Sequence, residues 1–474
     1  MSEPSDHPQD PFDERAERRA ARRDRPRGSS GALFAVALIV LGGAALMTNM
    51  GIAHVNWLEA ARYWPVLLIL FGLDMMIGRR TLLGSSVMAV VTVAALLGVF
   101  WLAGRAPAEA TPPSFNLFGG AQPATGTIEK QLGGAKKLKV EVHLTDMALN
   151  LGALDAGNDG LAAQGTWQTR PGLEPETTYT VDGDTGLLTI RQPDSVGLQP
   201  FVFESRMKLS LPPNIPIDLT VQSSLGSVTL DLSSLQATAL DASADSGSLT
   251  VTLPDAGEMQ TVKVHGNLGS VTLKAPDKAT LNIQTLDASA SSGSLTVGLP
   301  AEGTIDTLTV QGDLGSVTAS VPDDSTLQLG DVTFKSNSGS LTVGLPAKGK
   351  AGSVSLNCNL GSITLNIPGS TNTLSVEKLD VNANSGSVTV TLPGGKGNYP
   401  ASIQSDLGGI TVFLPASLDA NINIDAGLSK PTVSSERLKQ IGDQDWKTAN
   451  YDQGDNRALV TIQASSGGVT VKDQ

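Results

Sequence analysis

Four histidines (His7, His54, His143 and His265), one cysteine (Cys358) and scattered carboxylates are the residues of this chain suited to acid–base, nucleophilic or metal chemistry. A zinc site or a Ser-His-Asp arrangement needs several such groups at set spacings. Here each histidine stands alone: one in a charged tail, one beside an apolar span and two at outward positions of alternating runs. One cysteine provides for neither an intramolecular disulfide nor a multi-thiolate centre. Cys358 stands three residues before a recurring glycine, a place that suits a small inward-facing side chain. GxSxG, GxxxxGK[ST] and a strand-to-helix GxGxxG are all missing. No enzyme is expected, and no cofactor or metal.

Two recurring sets remain. Threonines at Thr250, Thr272, Thr296, Thr318, Thr342, Thr364, Thr389 and Thr411 hold one place in a repeated phrase, so they form a candidate ladder surface for ice, a polymer or another surface. Threonine favours strands whatever it binds, and a purely structural ladder is the competing reading. The second set, Asp245, Asn267, Asp313, Asn337, Asn359, Asn384 and Asp406, precedes that glycine by two residues. Calcium at paired acids is one reading. Because amides separate the acids, side chains bonding the turn backbone is the better one.

The elements that position these residues come from one phrase. It reads DSGSLTVTLP at Asp245–Pro254, NLGSVTLKAP at Asn267–Pro276 and SSGSLTVGLP at Ser291–Pro300, and it continues to DLGGITVFLP at Asp406–Pro415. Its glycines, Gly226, Gly247, Gly269, Gly293, Gly315, Gly339, Gly361, Gly386 and Gly408, recur at steps of about 21 to 25 residues, the mark of a solenoid. Within a phrase Leu249, Val251 and Leu253 alternate with Ser248, Thr250 and Thr252, which is a half-buried strand. Glycine permits a tight corner before the strand, and proline ends pairing after it. Two or three short strands per coil predict a parallel β-helix. A coil of one phrase is preferred. The double step of about 46 residues competes with it, because Leu-Gly and Ser-Gly phrases alternate.

Hydropathy divides the chain. Residues 1–30 form a charged tail with seven arginines between Arg15 and Arg27. Residues 31–104 are nearly solid apolar and read as three membrane helices, 31–53, 60–78 and 82–104. Arginines before the first span and Arg79-Arg80 after the second place those ends in the cytoplasm, so the chain beyond the third span is extracytoplasmic. Asp74, Arg79 and Arg80 form a candidate membrane-interaction site, since an acid in a membrane helix is a functional candidate. A linker at 105–127 leads to a β-solenoid at 128–474, with repeats at 224–415 and a C-terminal cap at 426–474. The net charge of −13 and an aromatic content of 4 % argue against nucleic acid.

GALFAVALIVLGGAALMTNMGI (Gly31–Ile52), followed by YWPVLLILFGLDMMIG (Tyr63–Gly78), resembles the transmembrane region of bacterial LiaF-type proteins. The run RMKLSLPPNIPIDLTVQSSLGSVTLDLSSLQATALDASADSGSLTVTLP (Arg206–Pro254) is similar to the first coils of toastrack, or adhesin-like, β-solenoids. The resemblance implies an N-terminal α-helical transmembrane region plus an all-β parallel solenoid in the bacterial cytoplasmic membrane. It also implies a cell-envelope role: sensing stress and restraining a sensor histidine kinase or another envelope membrane protein. A surface adhesin or polymer-binding module is the alternative. Neither motif brings catalytic residues with it. The chain departs from the LiaF pattern in having three spans where four are usual.

Overall fold

The computed structural model describes residues 123–158, 160–194, 205–368 and 372–474. The three membrane helices, the charged tail and most of the linker expected from the sequence lie outside the described residues.

From Pro216 to Leu414 each phrase becomes one coil of a parallel stack. A coil holds a longer strand (Thr280–Ser292, for example), a Gly corner and a four- or five-residue strand (Leu295–Gly298). The short strands join a sheet of 15 strands and the long ones a sheet of 16. Each phrase pairs with the next, Thr250 opposite Thr272 and Thr272 opposite Thr296, so the coil is one phrase and the double step is not a coil. The long strand bends where two successive residues turn outward. Gln284 and Thr285 do so between the buried Ile283 and Leu286, which gives the coil three sides from two strands.

The corner glycines are required. Gly226 to Gly467 take φ between +126° and +150°, a region closed to most L residues. From Gly247 onward each sits over the carbonyl of the glycine one coil before, and Gly226 over that of Met147: a Cβ on Gly315 would lie 2.7 Å from the carbonyl carbon of Gly293. Two corners hold a second glycine on the inner side: a Cβ on Gly266 would press on Val271 Cγ2 and one on Gly312 would come 2.5 Å from Val317 Cγ2, so these two places take no larger residue without displacing the valine. The buried Leu, Val, Ile and Ala of all coils form one continuous core, with Phe334 its bulkiest fully buried side chain. Burying each Val or Leu contributes roughly 1.5–3 kcal/mol relative to leaving it in water.

Both ends depart from simple stacking. At the leading end Ala124–Gln131 and Leu161–Thr169 run antiparallel, and the second of them runs antiparallel to Arg206–Leu211. The first strand thus begins at Ala124, inside the stretch 105–127 read from sequence as linker, because Thr125 and Thr127 alternate with Gly126 and Ile128 and find a partner strand. At the trailing end the chain overshoots. Asp419–Asp425 forms the outer coil, and Asn456–Ser466 then inserts between it and Gly397–Leu407. The last strands, assigned by sequence to the cap 426–474, therefore lie one coil inside it. The cover over the 16-stranded sheet is Asp445–Thr448 and Leu438–Gln440, paired antiparallel. Antiparallel strands end a parallel stack by presenting an edge in a different direction, which blunts further addition of strands.

Candidate functional site

On the 15-stranded sheet the eight predicted threonines come together in one column. Thr250 stands opposite Thr272, then Thr296, Thr318, Thr342, Thr364, Thr389 and Thr411 in turn. Thr229 extends it at one end, while Thr470 and Thr432 extend it at the other. The next outward row is mixed: Lys274, Gly298, Ser320, Gly344, Asn366 and Phe413. The Lys472 ammonium lies 4.7 Å from the Phe413 ring centroid.

At the leading end this face curves into an open concavity of about 900 Å³, which includes Asn150, Thr166, Gln168, Arg206, Lys208 and Thr229 in its lining. Arg206 Nη2 donates to Gln168 Oε1 at 3.1 Å. Two cations thus stand at the head of the threonine column, on exposed positions of Arg206–Leu211. The concavity was not legible in the sequence. Arg206 and Lys208 alternate with buried Met207 and Leu209, which signals that they face outward; the wall built by Leu161–Thr169 rests on an antiparallel return with no repeat signature.

The corner carries two further rows. Four members of the Asp/Asn set, Asp313, Asn337, Asn359 and Asn384, bond one another across coils in place of the expected bonds to the turn backbone. Asn337 Nδ2 donates to Asp313 Oδ1 (2.7 Å), Asn359 Nδ2 to Asn337 Oδ1 (3.0 Å) and Asn384 Nδ2 to Asn359 Oδ1 (3.0 Å). Parallel, in-register stacking places identical amides one strand spacing apart, the geometry of an asparagine ladder. Beside it the residue before each glycine alternates between leucine and serine. Leu268, Leu314, Leu360 and Leu407 expose 56 %, 58 %, 59 % and 59 % of their surface.

Groups able to do chemistry stay apart. Among the described residues no three of His, Cys, Asp and Glu gather as a metal site. His143 Nδ1 meets Gln222 Oε1 at 3.1 Å and His265 Nδ1 meets Ser289 Oγ at 2.9 Å, each singly on an outer face. Cys358 is buried with its Sγ 3.4 Å from Gly339 O and 3.3 Å from Gly361 O, and desolvation raises the thiol pKa above its ordinary value. Its neighbours in the stack, Ser336 and Ala383, confirm the small inward position. Asp74, Arg79 and Arg80 lie outside the described residues.

Comparison with known proteins adds the family context. Residues 32–76 match the LiaI-LiaF-like transmembrane region, and residues 119–274 match the N-terminal domain of toast_rack. No curated protein matches the chain. Among solved structures it is similar to a candidate cell adhesion protein from Clostridium sporogenes, at 15 % identity over 74 % of this chain and 100 % of that one, with a TM-score of 0.19. It is also similar to a candidate adhesin from Bacteroides fragilis, at 11 % identity over 74 % of this chain and 97 % of that one, with a TM-score of 0.18. In one polypeptide the chain joins a LiaI-LiaF-like membrane region to a toast_rack β-solenoid.

Proposed function

We propose that this protein is a non-enzymatic cell-envelope module that senses envelope stress and regulates a membrane partner by protein–protein contact. One observation carries the reading: a membrane region of LiaI-LiaF type precedes a column whose exposed features are rows repeated from coil to coil. Such rows form an extended contact surface. A small-molecule enzyme instead concentrates a few polar groups in an apolar pocket.

In this reading residues 1–30 are cytoplasmic and the chain crosses the bacterial cytoplasmic membrane at 31–53, 60–78 and 82–104. The linker 105–127 then holds an extracytoplasmic solenoid. Asp74, with Arg79 and Arg80 at the inner end of the second span, contacts the partner, for which a sensor histidine kinase fits the role. Asp74→Arg and deletion of the solenoid are each expected to change the induction of an envelope-stress reporter. An unchanged response in both variants overturns the proposal.

A second reading, adhesion, is favoured by the unbroken threonine column and the Arg206/Lys208 concavity at its head. Replacing Thr296, Thr342 and Thr389 by Lys abolishes attachment to a surface or polymer in that case while leaving the fold intact. Normal attachment removes it.

A further inference from the structure

The row just before the motif glycines runs Leu225, Ser246, Leu268, Ser292, Leu314, Ser338, Leu360, Ser385 and Leu407, each opposite the next. Ser466 stands opposite Leu407. Counting on from Asp425, opposite Gln463, brings Leu428 beside Ser466. Along the chain the order at this end is Leu407, Leu428, Ser466; in space it is Leu407, Ser466, Leu428. A rhythm left by copying a two-coil unit would alternate along the chain. This one alternates along the surface even where chain order and spatial order part. The serine coils fold the same corner without a leucine, so the column itself does not need one there. The surface does.

We infer that this stripe is a self-association surface whose occupant is the same stripe of a second copy, the two columns side by side, running in the same direction, leucine against leucine. Area supports it. Leucines recur about every 9.6 Å, twice the strand spacing, over roughly 48 Å from Leu225 to Leu428. At about 100 Å² each, six leucines offer around 600 Å² per copy, and the flanking rows bring this to the roughly 800 Å² per partner of a stable interface. Leu428, 91 % exposed, gains most from cover.

Charge supports it too. The flanking rows are Ser248, Ser270 and their equivalents on one side and the Asp/Asn ladder on the other, with no Lys or Arg in either. A twofold axis along the column sets each Asp/Asn row against the other copy's serine row, so Asp245, Asp313 and Asp406 meet hydroxyl donors and not one another. Direction is set by connectivity. The membrane region at 32–76 precedes the same end of the column in both copies, and running in the same direction brings both leading ends to one level. The inference stands apart from the stress-sensing proposal, which is read from signalling.

The test uses the full chain in native membranes with Cys358→Ser as background. Under mild oxidation Leu314→Cys and Leu407→Cys each cross-link to their own kind, whereas Glu258→Cys, an exposed position on the far side of the bend in the long strand, does not. Mixed Leu225→Cys and Leu407→Cys chains give no Leu225–Leu407 product. Leu268→Ser, Leu314→Ser and Leu360→Ser combined weaken association of the purified full chain in nanodiscs by about 100-fold, as three interface leucines would, with the thermal melt unchanged because serine already occupies the alternate coils. A monomeric wild type overturns the inference. So does a triple variant that pairs as tightly as wild type, a preferred Leu225–Leu407 product, or capture of a different protein by Leu314→Cys in place of its own copy.

Discussion

The middle of the column and its two ends are held by different means. Between Gly226 and Gly408 each coil repeats the last: backbone on backbone, glycine over glycine, threonine beside threonine, and from Asn337 to Asn384 amide bonded to amide. The ends rest on single side chains found once. At the leading end Gln192, 3 % exposed, accepts from the Thr145 and Asp146 amides at 3.0 and 2.9 Å, while its own amide reaches Thr169 Oγ1 and Leu173 O. At the trailing end Arg437 donates to the carbonyls of Pro415 and Leu418, and Thr448 ties Asp419 to the cap. A repeat spreads its stabilisation over many equal contacts, and a cap concentrates it in a few, because only the cap must satisfy edge groups that no further coil will pair.

The sharpest break of this contrast is a corner glycine. Gly315→Ala places a Cβ on the Gly293 backbone at φ +129°, and neither side can yield without opening the stack. A loss of about 4 kcal/mol or more in chemical denaturation, or failure to fold, is expected. Gly344→Ala is the control. Its Cβ would find nothing nearer than 3.7 Å, and Ser320 and Asn366 occupy the same place in neighbouring coils, so a change under about 1 kcal/mol is expected. Equal losses at both sites would show that the glycine stack is not what sets the corner.

Next in size is the leading cap. Gln192→Ala strands two part-buried backbone N–H groups, and a loss of about 2 kcal/mol is expected, with hydrogen exchange accelerated first in Lys137–Asp146 and Ala148–Ala153. Uniform acceleration along the whole column would mean that ends and middle are one cooperative unit. Smaller again is Asn359→Ala, which breaks two bonds of an exposed ladder, to Asn337 and Asn384, and should cost about 1 kcal/mol. A loss of several kcal/mol would move this ladder from the repeat's many small contacts into the class of the caps.

Legibility in the sequence divides along the same line. The period-two alternation of Leu249, Val251 and Leu253 and the spacing of the glycines carry the fold, because each coil restates the same local rule, and the threonine column comes directly from it. The Asp/Asn row was visible as a row, but its partners were not: whether Asn337 bonds its own turn or the next coil depends on register in space. The trailing overshoot was hidden for a related reason. Asp419–Asp425 and Asn456–Ser466 both alternate, and nothing in either states which lies outside. Gln192, one polar residue after the strand Thr185–Arg191, has no pattern to announce it.

The mildest change falls where the repeat tolerates substitution. Cys358 holds a place taken by Ser336 and Ser405 in other coils, where each hydroxyl donates to a corner carbonyl, Gly339 O at 2.9 Å and Gly386 O at 3.1 Å. Cys358→Ser keeps that bond and should change stability at pH 7 by less than about 1 kcal/mol. The two proteins should separate only in alkali. Burial raises the thiol pKa above its ordinary 9.0, so the folded state holds its proton where the unfolded chain releases it. That contribution is complete below the unfolded value and is lost as pH rises from there through the folded one. Denaturation of wild type and Cys358→Ser at pH 7 and at about pH 10 should therefore show wild type losing more across the interval. Parallel losses would mean that the thiol titrates alike in the folded and unfolded chain, and that the corner is open to water where the packing closes it.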